Sequence, residues 1–110
     1  MGALATPEAR ALDALGHHTR RTIVSLLARR PQAVGELAAA LPVSRPAVSQ
    51  HLRVLEEAAL VQHHKDGTRR IYRIDPTGFL SARSWLETFW MTALDRFAAL
   101  VEQAVEEPTP

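Results

Sequence analysis

The sequence predicts a mainly α-helical fold of five helices with one small β-hairpin. Three observations carry this expectation. Apolar residues recur at three- and four-residue spacing in several segments, most clearly in SRPAVSQHLRVLEEAAL, residues 44–60. Asp66-Gly67, the strongest short-range hairpin signal, separates two short strand-like runs. A long apolar stripe then fills the last third of the chain and holds both tryptophans and two of the three phenylalanines. At 110 residues the chain reads as one unit spanning 1–110, large enough for a real but small core.

Taken in order, Thr6 is placed to cap a helix that starts at Pro7, giving a first helix over 7–16 with Leu12 and Leu15 on its apolar side. His17-His18 precede a second helix that opens with Thr19-Arg20-Arg21 and continues as Ile-Val-x-Leu-Leu. VGELAAAL, residues 34–41, puts Val34, Leu37, Ala38 and Leu41 on one side. Pro42 cannot continue that helix and disfavours helical geometry at Leu41. Ser44 can cap the next helix, with Pro46 in its first turn. There Val48, Leu52 and Leu55 form a buried stripe that Ala59 extends, and the opposite face presents Pro46, Ser49, Gln50 and Arg53. Two helices joined by a tight turn over 34–58 have the layout of a helix-turn-helix.

LVQHHKDGTRRIYRID, residues 60–75, reads as two strands around Asp66-Gly67, with a type I′ turn and positive φ at both central residues. Tyr72 and Ile74 alternate with Arg73 and Asp75, as in a half-buried strand. Helix, turn, helix and basic hairpin in that order describe a winged helix-turn-helix. Asp75-Pro76 with Gly78 marks a boundary, and a helix is expected over 80–104. Its stripe runs through Trp85, Phe89, Trp90, Leu94, Phe97 and Val101 and is wider than one narrow contact requires. A partner surface is therefore expected. The tail from Glu106 to Pro110 is expected to fray.

A helix with one buried side and hydroxyl, amide and guanidinium groups on the other suits major-groove reading, so double-stranded DNA is the expected partner. Net charge is only +1, but its distribution is polarised. Residues 17–75 hold ten Lys/Arg against five Asp/Glu, whereas residues 76–110 hold two against five. The positive charge lies in the helix-turn-helix and hairpin, as phosphate contact requires. Arg45, Pro46, Ser49, Gln50 and Arg53 on the helix, with Arg69 and Arg70 after the turn, are the candidate DNA contacts.

The same segments carry a family resemblance. Thr19-Arg20-Arg21 before the Ile-Val-x-Leu-Leu helix, Gly35-Glu36-Leu37-Ala38, Ser44 through Leu52, and Gly67 followed by Arg69-Arg70-Ile71-Tyr72-Arg73 resemble the ArsR family of bacterial winged-helix transcription regulators, over roughly residues 8–104. The resemblance implies a homodimer with Ser44 at the start of the recognition helix. It also implies an interface built from the first and last helices, here Leu12, Leu15, Trp85, Phe89, Trp90, Leu94, Phe97 and Val101. Two departures stand out. His17-His18 occupy the place of the family's usual Asp-Pro, so a good N-cap is expected to be lost. Ala58-Ala59-Leu60 replaces Ala-Gly-Leu, so either the helix end turns less sharply or an alanine sits in left-handed geometry at a cost of about 1 kcal/mol.

Other classes find less support. With no cysteine, disulfides and thiol redox sensing are excluded. Ala33-Val34-Gly35-Glu36-Leu37 has no sulfur ligand, and residues 80–104 contain no histidine, so neither checked family metal site can form and no metal or cofactor is expected. Catalytic motifs are absent, which argues against an enzyme. No apolar run is long enough to span a membrane, and the cytoplasm is the expected location. Met1–Thr6 fits a loose myristoylation pattern, but Thr6 is better explained as the helix cap. A repressor is the expected role. The alternatives are a metal-responsive regulator or an activator of the same fold, and a winged-helix module that docks proteins without reading DNA.

Overall fold

A computed structural model describes residues 6–106. The Met1–Ala5 part of the myristoylation pattern and the tail beyond Glu106 lie outside the described residues. Five helices and three short strands follow one another: α1 (Pro7–Leu15), α2 (His18–Arg29), β1 (Gln32–Ala33), α3 (Val34–Ala40), α4 (Arg45–Glu57), β2 (Val61–Asp66), β3 (Arg69–Ile74) and α5 (Pro76–Glu106). The fold is the expected winged helix-turn-helix with one strand more. Gln32 and Ala33 pair with Tyr72 and Ile71, so the sheet is antiparallel with order β1-β3-β2. This third strand is only two residues long and has no periodicity that a sequence could display.

Each helix start has a local cause. The Thr6 hydroxyl accepts the Ala9 N–H at 3.1 Å, and the Ser44 hydroxyl accepts that of Ala47 at 3.2 Å. The lost cap at α2 is a corrected expectation: His17 itself caps the helix, its Nδ1 accepting the Thr19 N–H at 3.1 Å. An imidazole nitrogen here does the work of a carboxylate. The start of α5 is also corrected. Asp75 accepts the Thr77 N–H at 3.0 Å and Pro76 occupies the first turn, so the helix begins four residues before the expected Leu80.

Gly78 lies inside that helix because a neighbour leaves no room for a side chain. A Cβ there would sit 2.4 Å from the Ala58 carbonyl oxygen and 2.7 Å from that of Ala59. The Gly78 N–H donates to Ala59 O at 2.7 Å, which locks α5 onto the end of α4. That end is sharply turned after all. Ala59 has φ of 57°, Ala59 N–H donates to Glu56 O at 3.0 Å, and Leu60 N–H donates to Leu55 O at 3.0 Å. This is a Schellman ending with alanine where glycine is usual, clasped by the fully buried Leu55 and Leu60.

The core forms where α2, α3 and α4 meet the sheet. Ile23, Leu37, Val48, Leu52, Leu55 and Leu60 are fully buried, and Tyr72 closes the core from the hairpin. The hairpin turn differs from expectation. β2 and β3 pair from Val61↔Ile74 to Asp66↔Arg69, which leaves Gly67-Thr68 as the two-residue loop. Only Gly67 has positive φ, at 65°, so the loop follows the type II′ pattern, with Gly at the first central position. The one-residue shift puts Arg70 directly opposite Lys65.

Candidate nucleic-acid interface

The recognition helix α4 separates its two faces cleanly. Val48, Leu52 and Leu55 point into the core, while Arg45, Pro46, Ser49, Gln50 and Arg53 are all exposed. Three of these, Arg45, Ser49 and Arg53, line one wall of an open groove whose other wall includes Arg69 and Arg70 of the wing. Pro46 and Gln50 do not line this groove. They are exposed on the same helix, outside the groove's lining. Five of the seven candidate contacts therefore converge on one concavity, and the other two share their helix.

The ten cations of residues 17–75 are not equivalent. Arg20 donates to Ala14 O at 2.7 Å and Arg21 to Leu15 O at 2.8 Å, so both fasten the end of α1. Arg30 and Arg69 both pair with Glu36, at 3.1 and 3.0 Å. Arg73 donates to Gln62 at 3.3 Å across the hairpin. Of these ten, Arg29, Arg45, Arg53, Lys65 and Arg70 are exposed and join no ion pair or side-chain hydrogen bond, and all but Arg29 lie on α4 or the wing. Lys65, exposed on the wing though outside the groove's lining, is a candidate contact that sequence reasoning did not single out. Its signal is the register, which sets two like charges side by side on one face, an unfavourable arrangement until an anion lies against them.

Glu36 stands at the junction of wing and helix-turn-helix. Its carboxylate accepts the Ala33 N–H at 3.0 Å while receiving both arginines. That backbone bond, then Arg30, hold its pKa below the usual carboxylate range, so it stays ionised. His51 lies on the inner flank of α4, its ring 4.7 Å from that of His17 and its Nδ1 3.5 Å from Arg20. Burial lowers its pKa, with His17 and Arg20 adding to the effect, so His51 favours the neutral form. His63 pairs with Glu56 and packs against Tyr72 at the far end of the groove. No group of three or more metal-ligating side chains is assembled among the described residues.

Behind this surface, α1 and α5 lie side by side. Leu12 and Leu15 join Phe79, Ala82, Leu86 and Trp90 around an apolar hollow open to solvent. The large hydrophobics left exposed among the described residues all belong to α5. Trp90 is 60% exposed, Phe97 64%, and Leu94 39%. Trp85, Phe89 and Val101 are exposed as well, and the rings of Trp85 and Phe89 stack at 5.6 Å. No helix among the described residues is long and apolar enough to cross a membrane.

A polar, cation-flanked recognition helix beside a basic wing defines the class: a transcription regulator with a winged helix-turn-helix DNA-binding fold. Comparison with known proteins narrows it. The family model for bacterial regulatory proteins of the arsR family matches residues 17–63. The chain is 56% identical over 93 residues to the HTH-type transcriptional regulator Rv2034 of Mycobacterium tuberculosis, covering 84% of this chain and 87% of that one. An ArsR-like transcriptional regulator from Rhodococcus sp. RHA1 superposes with a TM-score of 0.82 at 30% identity, over 98% of this chain and 99% of its own. The homodimeric winged helix-turn-helix DNA-binding domain of a possible ArsR-family regulator from Mycobacterium bovis matches with a TM-score of 0.63 at 32% identity, covering 83% of this chain and 82% of that one. The protein belongs to the ArsR family of bacterial transcription regulators.

Proposed function

We propose that the protein is a sequence-specific repressor that binds double-stranded operator DNA as a homodimer and blocks promoter access by occupying it. The observation that carries the proposal is the division of the surface into two opposite chemistries. Unpaired cations and polar side chains gather on α4 and the wing, and an open apolar stripe runs along α5. Gln50 and Arg53 suit adenine and guanine edges, and Arg45, Lys65 and Arg70 suit phosphates. A protein-docking surface would instead need an apolar patch on the outer face of α4, which carries no large hydrophobe.

The α5 stripe spans a helix about 46 Å long and leaves more apolar surface open than a monomer usually tolerates. A second copy, contributing its own α1 and α5, covers such a surface and places two recognition helices in symmetric register. The family relatives support both parts of the reading. One neighbour is described as a homodimeric DNA-binding domain, and a Bacillus subtilis relative 29% identical over 76 residues is named a transcriptional repressor. A nuclease footprint on the DNA upstream of its own gene tests the proposal. A protected inverted repeat with half-sites about 10 base pairs apart, or a multiple of that, is expected. Protection without symmetry, or none, contradicts it.

A further inference from the structure

Glu36 poses a physical question. A carboxylate in a groove that receives a polyanion opposes binding by charge alone, yet this one lines the groove and stays ionised. Its contacts supply the reason. One side chain gathers Arg30 from the end of α2, the N–H of Ala33 at the end of β1, and Arg69 at the start of β3. The pairing with Arg69 spans 33 positions of sequence and ties the wing tip to the helix-turn-helix.

The wing needs such a tie. Beyond β1, which reaches only Ile71 and Tyr72, the hairpin tip is two strands with no third neighbour. Lys65 and Arg70 face each other there as like charges, next to Arg69, which stands opposite Asp66 but whose guanidinium pairs with Glu36 instead. Among the described residues, Glu36 is the only carboxylate that pairs with an arginine of the wing. We propose that Glu36 and Arg69 form a latch that sets the angle of the wing against the recognition helix. Arg69 is then a positioning residue, and Arg70 with Lys65 meets the phosphates. The proposal rests on the DNA-binding reading above.

The assignment reverses what electrostatics predicts for the same substitution. Removing a negative charge beside DNA ordinarily strengthens binding. Here Glu36→Gln weakens it, because the charge that draws Arg69 in is lost and the ion pair falls to a neutral hydrogen bond on the same oxygen that accepts the Ala33 N–H. The test measures operator and random-DNA affinity across a salt series for wild type, E36Q, R69Q, R70Q and the E36Q/R69Q double variant. Thermal melts and hydrogen exchange of the free proteins accompany it.

The latch predicts a loss of roughly fivefold in operator affinity for E36Q and for R69Q. The double variant should be no weaker than either single one, and the salt slope of R69Q should match wild type. R70Q should lower the slope magnitude by about 0.9, as a lost phosphate contact does. Faster exchange at the wing-tip amides of E36Q, with an unchanged melting temperature, separates the latch from a general loss of stability. Tighter or unchanged binding by E36Q, or a lowered slope for R69Q, overturns the latch and leaves the DNA-binding reading intact. If wild type binds no DNA, the functional reading fails, and the exchange data alone decide whether Glu36 holds the wing. Unaltered wing exchange in E36Q then overturns the latch too.

Discussion

Replacing Ala59 with glycine should stabilise the protein, although it removes a side chain and touches no core contact. Ala59 is the only non-glycine residue with positive φ among those described, and its φ of 57° is imposed from several sides. Its own N–H and that of Leu60 close the Schellman ending of α4, and its carbonyl receives the Gly78 N–H. An L-residue in left-handed geometry carries a penalty of roughly 1–2 kcal/mol that glycine escapes. Glycine loses about 0.5–1 kcal/mol more conformational entropy than alanine on folding, so the net gain should be about 1 kcal/mol. For a chain of this size that raises the melting temperature by roughly 4–8 °C, and the shift is the same for a dimer because both copies gain. Gly78→Ala is the counterpart. Its Cβ would meet two backbone carbonyls that cannot move aside, so it should cost about 1–3 kcal/mol. Calorimetry at fixed protein concentration measures both. An unchanged or lower melting temperature for Ala59→Gly would refute the strain argument, because no other contact offsets it.

Three further outcomes follow from the same geometry. Arg53→Ala should weaken operator binding by about 1–3 kcal/mol if the guanidinium reads a base, with a relaxed preference at one operator position in a binding-site selection. Trp90→Glu or Phe97→Glu should dissociate the dimer or unfold it, read by sedimentation, since charged groups would enter the shared apolar surface. Stability should also depend on His51. Its pKa is lower folded than unfolded, so its contribution is complete above about pH 6.5 and is lost as pH falls through the folded value. His51→Gln should therefore flatten the pH dependence of the melting temperature between about pH 7 and 5, and an unaltered profile would assign that dependence elsewhere.

Much of the fold is legible because its signals are local. The Ser44 cap and the Val48-Leu52-Leu55 stripe declare themselves within a few residues, and the structure places both as expected; a hairpin near Gly67 is equally legible, its exact turn is not. The exact turn does not follow from Asp66-Gly67, because the pairing of Val61 with Ile74 decides which residues become central. Strand β1 exists only through its partner, and no pattern of two residues can announce it. The cap at His17 depends on which ring nitrogen faces Thr19, a matter of rotamer and tautomer. For the site, the outward residues of α4 are legible from helical periodicity. The pairing of Glu36 with Arg69 and the juxtaposition of Lys65 with Arg70 require three-dimensional register. Charge counting finds ten cations in the right region but cannot tell those that staple helices together from those left open to a ligand.

The most direct measurement is a salt-dependent titration of the purified protein against its upstream DNA and against a shuffled duplex of equal length. A symmetric repressor should saturate the upstream DNA at two protomers per site and bind it at least about 1,000-fold more tightly than the shuffled duplex. Its affinity should fall along a straight line with the logarithm of salt concentration, reflecting several phosphate contacts. Equal affinity for both duplexes, or saturation by a single protomer, would contradict the account.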